Sequence, residues 1–149
     1  MTARNRRNWW GRHSLTLVAG GILLLWIGMY AGSSPQTHLG SFFGNAIADW
    51  SGVVVMVLAT KRLYEKGSAE SKQPAGILPG RVEEALREHS LSIFLLITGA
   101  LWVALFVHMD AQGKWGQVVG NIVSEWTQVL GLVLMTKKLV EAGSKESKK

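Results

Sequence analysis

No Asp, Glu, Lys or Arg occurs between Arg12 and Asp49, and none between Glu88 and Asp110. A soluble domain of 149 residues seldom keeps charge off such long stretches, because its surface must meet water. A helix crossing a bilayer needs about 20 apolar residues to span a hydrocarbon core of roughly 30 Å. Four segments meet that length, at about 14–32, 41–60, 90–108 and 115–136. The second and fourth are less apolar in their first halves, and they carry Asn45 with Asp49 and Asn121 with Glu125. A secretory signal peptide is the competing reading of the first segment. It lacks support, because no small-residue cleavage site followed by a soluble domain is evident. The expected fold class is an all-α membrane protein with four transmembrane helices.

The chain is 48% hydrophobic and 17% charged, with a net charge of +6. In a soluble protein that excess of base would raise the question of nucleic acid. Here the positive-inside rule explains it. Arg4, Arg6, Arg7 and Arg12 precede the first segment, and Lys61, Arg62, Lys66, Lys72, Arg81 and Arg87 lie between the second and third. Lys137, Lys138, Lys145, Lys148 and Lys149 follow the fourth, and Lys114 alone falls on the other side. Both termini and the middle loop are therefore expected in the cytoplasm, with the lipid bilayer as the main partner and no nucleic acid. Trp9, Trp10 and Trp115 fall at headgroup level, whereas Trp26, Trp50, Trp102 and Trp126 fall deeper, where they would pack between helices.

Shifted by 76 residues, the chain aligns with itself without a gap. His13-Ser14-Leu15 matches His89-Ser90-Leu91, and Trp26 matches Trp102. Gly40, Gly44 and Asn45 match Gly116, Gly120 and Asn121, and Asp49-Trp50 matches Glu125-Trp126. About a third of the positions over roughly 60 residues are identical, the mark of an internal duplication. The expected units are a first hairpin over 1–72, a linker with a short helix over 73–88, and a second hairpin over 89–149. Two spans per copy give both copies the same topology, so a pseudo-two-fold axis along the membrane normal is expected.

The repeated signature on the second and fourth segments is G-x-x-x-G-N-x-x-x-[DE]-W. Its glycine spacing, in Gly40 with Gly44 and Gly116 with Gly120, points to close helix packing, and Gly28 with Gly32 repeats it on the first segment. Asn45 and Asp49 share a helix face, as do Asn121 and Glu125. An ionised acid at mid-membrane costs about 2.5–3.5 kcal/mol on insertion scales, so these acids face the protein interior or water. Three roles stay open: interhelical polar bonding with Asn, Ser124, Thr127 or Gln128; a proton- or cation-linked function; and a place at the outer interface.

His13 and His89 are equivalent, at the basic ends of the first and third segments, and are weak candidates for ligating haem iron or another metal. Solvation of a helix end is the plainer reading, and no metal or cofactor is expected. Ser14 and Ser90 sit where helix N-caps would fall. The absence of cysteine excludes disulfides, thiol nucleophiles and Cys-ligated metals. No phosphate loop, nucleophile elbow or metalloprotease spacing appears, so no enzymatic activity is expected.

The segment 67–80 is rich in Gly, Ser and Pro and is expected to be a flexible loop. The next stretch, 81–88, is a good helix former that extends the third segment or lies on the membrane surface. The end of the chain is expected to fray. Both hairpins finish on G-S-x-E-S-K, at Gly67–Lys72 and Gly143–Lys148. One reading makes Gly67 and Gly143 helix C-caps followed by a solvated turn, and the other makes the two endings docking motifs for a cytoplasmic or membrane partner.

Asn121, Ser124-Glu125-Trp126, Gln128, Leu139 and the Gly143–Lys148 ending resemble a family of small bacterial membrane proteins of unknown function with the signature N-x-x-S-E-[FW]-x-Q … G-S-x-E-S-K. His89-Ser-Leu-Ser92 resembles the same family. The first copy departs from the signature at Ala48–Gly52 but keeps its Gly67–Lys72 ending. The resemblance implies a bacterial inner-membrane protein of doubled hairpins and carries no activity. The expected function is a non-enzymatic scaffold or accessory subunit, as a homo-oligomer or with a membrane-complex partner. The alternative is a small proton- or cation-coupled transporter or channel using Asp49 and Glu125.

Overall fold

The computed structural model describes residues 3–72, 81–140, 142 and 144. They form five helices: α1 (Ala3–Ala31), α2 (His38–Ala59), α3 (Arg81–Glu88), α4 (Ser90–His108) and α5 (Lys114–Met135). Four of them contain stretches long and apolar enough to cross a membrane: His13–Ala31, His38–Ala59, Ser90–His108 and Lys114–Met135. These agree with the expected segments to within about three residues, the usual uncertainty of a helix end.

The first helix corrects one expectation. No proline interrupts the chain between Ala3 and Ala31, so α1 continues unbroken through the arginine-rich stretch. Ser14 is therefore interior, and its hydroxyl donates back to the Gly11 carbonyl at 3.4 Å instead of capping a helix. Ser90 is not the N-cap either, since His89 takes that place without a side-chain bond. The Ser90 hydroxyl accepts from the Tyr64 amide at 2.9 Å and donates to the Arg87 carbonyl at 2.9 Å.

Each hairpin closes on a glycine. Thr37 caps α2 by accepting from the Gly40 amide at 3.0 Å, and Gly113 caps α5. A Cβ built on Gly40 would lie 1.8 Å from the Ser34 carbonyl oxygen, and one on Gly116 would lie 2.0 Å from that of Asp110. Backbone at that distance cannot yield to a methyl group, so only glycine lets the turn rest on the helix. One turn further on, Gly44 carries the Tyr30 ring and Gly120 the Phe106 ring, at 3.2 and 3.0 Å from the position of a Cβ. The repeated glycine pair thus serves packing within each hairpin. Gly28 meets nothing within 4 Å, and Gly32 approaches only carbonyls of its own helix.

Helix α1 packs on α2, α2 on α5, and α5 on α4, so the second helix of each hairpin forms the central pair. Their shared core holds Ile47, Ala48, Val118, Ile122 and Trp126. Trp26 stacks on Phe43 with centroids 5.9 Å apart, and Trp102 meets Trp126 edge to face at 5.8 Å. Trp126 also donates to the Thr98 hydroxyl at 2.9 Å. The outer helices α1 and α4 turn Leu15, Val18, Leu24, Leu96, Leu101 and Val107 outward, an apolar surface suited to lipid and not to water.

At the end of the molecule where the short turns lie, Lys114 joins the hairpins. Its ammonium donates to the carbonyls of Ala31 and Ser33 at 3.0 and 2.6 Å, at the finish of α1. A cation there meets the negative pole of the helix and its unpaired carbonyls. In return, the Tyr30 hydroxyl donates to the Lys114 carbonyl at 2.5 Å.

At the opposite, basic end, α2 stops at Ala59 with Thr60 as its C-cap. Gly67 is not that cap, contrary to one of the two expectations. It lies in a later turn at φ +88°, a left-handed conformation that glycine adopts without strain. Nor is the beginning of the expected flexible loop loose, because Ser68 and Ser71 are both buried. The rest of that loop, 73–80, lies outside the described residues, as do Gly143 and the chain end from 145 onward.

Candidate functional site

The periodicity of α2 places Asn45 and Asp49 one turn apart on one face, and that of α5 does the same for Asn121 and Glu125. The central packing of α2 against α5 brings the two faces together. Asn121 Nδ2 donates to Asn45 Oδ1 at 2.6 Å, joining residues that occupy the same register in the two copies. Beside this bond lies an open cleft of about 120 Å³ lined by Asn45, Asp49, Asn121, Ser124, Glu125 and Gln128. Asp49 and Glu125 are each the twelfth residue of a 22-residue helix, so both acids sit at mid-height.

The asparagines pair with each other and not with the acids. Among the described residues neither carboxyl has a hydrogen-bond partner, and no lysine, arginine or histidine lines the cleft. Thr127 donates to the Ser124 carbonyl of its own helix at 2.7 Å, so its hydroxyl is turned to the backbone. The Glu125 side chain lies over Gly52, where a Cβ would come within 2.6 Å of Oε1. Asp49, Asn45, Ser124 and Gln128 are exposed, and Glu125 is half-buried. The cleft can offer two carboxylates and neutral hydrogen-bonding groups to a neighbour.

A second constellation has no counterpart in the sequence reasoning. Glu65, in the loop after α2, is fully buried. Lys137 Nζ lies 2.6 Å and His89 Nδ1 2.7 Å from its Oε1, and the Ser92 amide donates to Oε2 at 3.2 Å. Burial alone would push this carboxyl up. The bonds from Lys137, His89 and Ser92 outweigh that and hold it below the usual carboxylate range. Around it, the Ser71 hydroxyl accepts from the Glu65 amide at 2.9 Å, and Ser68 and Thr136 hydroxyls meet at 3.0 Å. The Lys66 amide donates to the Glu88 carbonyl at 2.7 Å, and the Leu91 amide to the Tyr64 carbonyl at 3.1 Å. Tyr64, Glu65 and Lys66 therefore rest on the start of α4, and Ser68 and Ala69 of the first G-S-x-E-S-K ending meet Thr136 at the finish of α5.

His89 is thus engaged by a carboxylate, and His13 lies half-buried on α1. His38 and His108 are exposed near the short turns. Among the described residues no three His, Asp or Glu side chains converge in a way that could hold a metal ion. One signal could have revealed Glu65: a glutamate, Glu141, recurs 76 residues later between the matching Lys137 and Gly143.

Four long apolar helices, with apolar outer faces and a polar cleft at mid-height, are consistent with a multi-pass membrane protein. No family model, no curated protein and no solved structure matches the chain.

Proposed function

We propose that the chain is an integral protein of the bacterial inner membrane whose role is structural, as a non-enzymatic accessory subunit or scaffold. In this reading both termini and the 60–89 connection face the cytoplasm. Two tandem hairpins are then related by a pseudo-two-fold axis along the membrane normal, passing close to the Asn45–Asn121 bond. The sequence match at a 76-residue shift supports that arrangement, as do the matching surroundings of Gly40 and Gly116 and of Gly44 and Gly120, each within its own hairpin.

The carrying observation is the cleft at mid-height, open on the outer surface of the central helix pair with Asn45, Asp49, Ser124 and Gln128 exposed. A bilayer does not solvate such groups, so a polar face at that depth needs a protein or water against it. Its polar lining along α5 runs from Asn121 to Gln128, about 10 Å at 1.5 Å per residue, a third of the bilayer core. That length fits contact with a neighbouring helix better than a path through the membrane. Co-purification from native membranes tests the reading. A stable complex that is lost when Asp49→Asn and Glu125→Gln are combined supports it, and an unaltered monomer in both cases refutes it.

The second reading, a proton- or cation-coupled transporter or channel, draws on one feature: both acids line one cleft with no cation beside them. Flux in proteoliposomes that vanishes in the same double variant would favour it over the first.

A further inference from the structure

The loop after α2 is received by the other hairpin. Glu65 and Ser68 meet four residues there: His89, Ser92, Thr136 and Lys137. Three of the four recur 76 residues earlier, as His13, Thr60 and Lys61, and Thr16 stands at the position of Ser92. The two guests recur as well, as Glu141 and Ser144. Glu141 lies outside the described residues, but all four hosts of the second set lie within them.

Those hosts are partly assembled. Lys61 Nζ donates to Thr16 Oγ1 at 2.7 Å, which ties the basic finish of α2 to α1 as Lys137 and Ser92 are tied through Glu65. Thr60 Oγ1 donates to the Met56 carbonyl at 2.6 Å, and Thr136 Oγ1 does the same to Leu132 at 2.9 Å. In the first receptor that arrangement leaves the threonine oxygen free to take the Ser68 hydroxyl and the Ala69 amide. Among the described residues Lys61 has only a neutral hydroxyl as partner, where its counterpart has a carboxylate.

We propose that His13, Thr16, Thr60 and Lys61 form a second carboxylate receptor, and that its occupant is Glu141 of the same chain. Ser144 then meets Thr60 as Ser68 meets Thr136. Reach is sufficient, because Glu141 follows the end of α5 at Met135 by the same six residues that separate Glu65 from Ala59. Charge is complementary, since Lys61 and His13 stand where Lys137 and His89 meet Glu65, with the Thr16 hydroxyl in the place of the Ser92 amide. The two hairpins thereby exchange their endings, each sealing the basic end of the other. The proposal rests on the first receptor and on the repeat, and holds whether the protein is an accessory subunit or a transporter.

The test uses the full chain in detergent micelles, with thermal unfolding measured for Lys61→Met, Glu141→Gln and the double variant. Each single change is expected to lower the midpoint by several degrees, and the double variant to fall no further than the worse single. Additive shifts, or no shift with Glu141→Gln, overturn the proposal. A second measurement does not depend on the variants folding. A water-soluble carbodiimide activates the Glu141 carboxyl, Lys61 Nζ attacks its carbonyl carbon, and an amide forms as the carbodiimide leaves as its urea. A Lys61–Glu141 linked peptide from the monomer band of the unmodified protein supports the intramolecular occupant. The same peptide found only in a covalent dimer, or not found, overturns it.

Discussion

Lys137 Nζ donates to Glu65 Oε1 across 2.6 Å, and the carboxylate that it meets has no solvent exposure. The bond links the loop that follows α2 to the turn that follows α5. Removing one partner of a buried pair leaves a charge without compensation, which costs about 3–5 kcal/mol. Lys137→Met is therefore expected to destabilise the protein by about that amount, softened by the His89 bond that remains. Glu65→Gln with Lys137→Met together should be less damaging than Lys137→Met alone, because no unpaired charge is then buried. Thermal unfolding of the three proteins checks the order.

The same carboxylate makes stability depend on acid. Its folded value lies below the ordinary 4.5. The unfolded chain therefore takes up the proton first, and the contribution of Glu65 is present in full above the unfolded value. It is lost as pH falls through the lower folded value. The unfolding midpoint of the wild type should drop on acidification below the usual carboxylate range, and that of Glu65→Gln should drop less. Equal slopes in both proteins would remove Glu65 as the cause.

The two constellations differ in how far they could be read from the sequence. Asp49 and Glu125 stand out because each is an isolated acid in an apolar run, with an asparagine one turn away and a counterpart 76 residues distant. What pairing distance could not say is that the asparagines bond to each other and leave the acids to line the cleft. Glu65 was hidden for the opposite reason. It stands in Lys61-Arg-Leu-Tyr-Glu-Lys66, where a charged loop looks solvated, and only tertiary contact buries it. The four long helices were legible from hydropathy alone, whereas the unbroken run of α1 to Ala3 was not, because arginines and Trp9-Trp10 mask a continuous helix.

The Asn45–Asn121 bond sets the strength of the polar contact between the central helices. Measured bonds of this kind between membrane helices average about 0.6 kcal/mol and reach about 1.7. A double-mutant cycle with Asn45→Ala and Asn121→Ala should give a coupling energy in that range. Coupling near zero would mean that the two side chains stand independently in the cleft.

Glycine substitutions separate the turn positions from the others. At Gly40 and Gly116 a methyl group would overlap a backbone carbonyl oxygen at 1.8 and 2.0 Å, so the turn itself would have to move. At Gly44 and Gly120 it would press on the end of an aromatic ring, which has some room to shift. At Gly28 it would meet nothing within 4 Å, and it would remove the conformational cost of glycine in a helix, about 0.5–1 kcal/mol. The expected ranking by thermal midpoint is therefore Gly28→Ala at or above wild type, Gly44→Ala and Gly120→Ala slightly below, and Gly40→Ala and Gly116→Ala lowest. A tolerated Gly116→Ala would show that the turn after α4 does not rest on α5 as closely as Asp110 and Gly116 require.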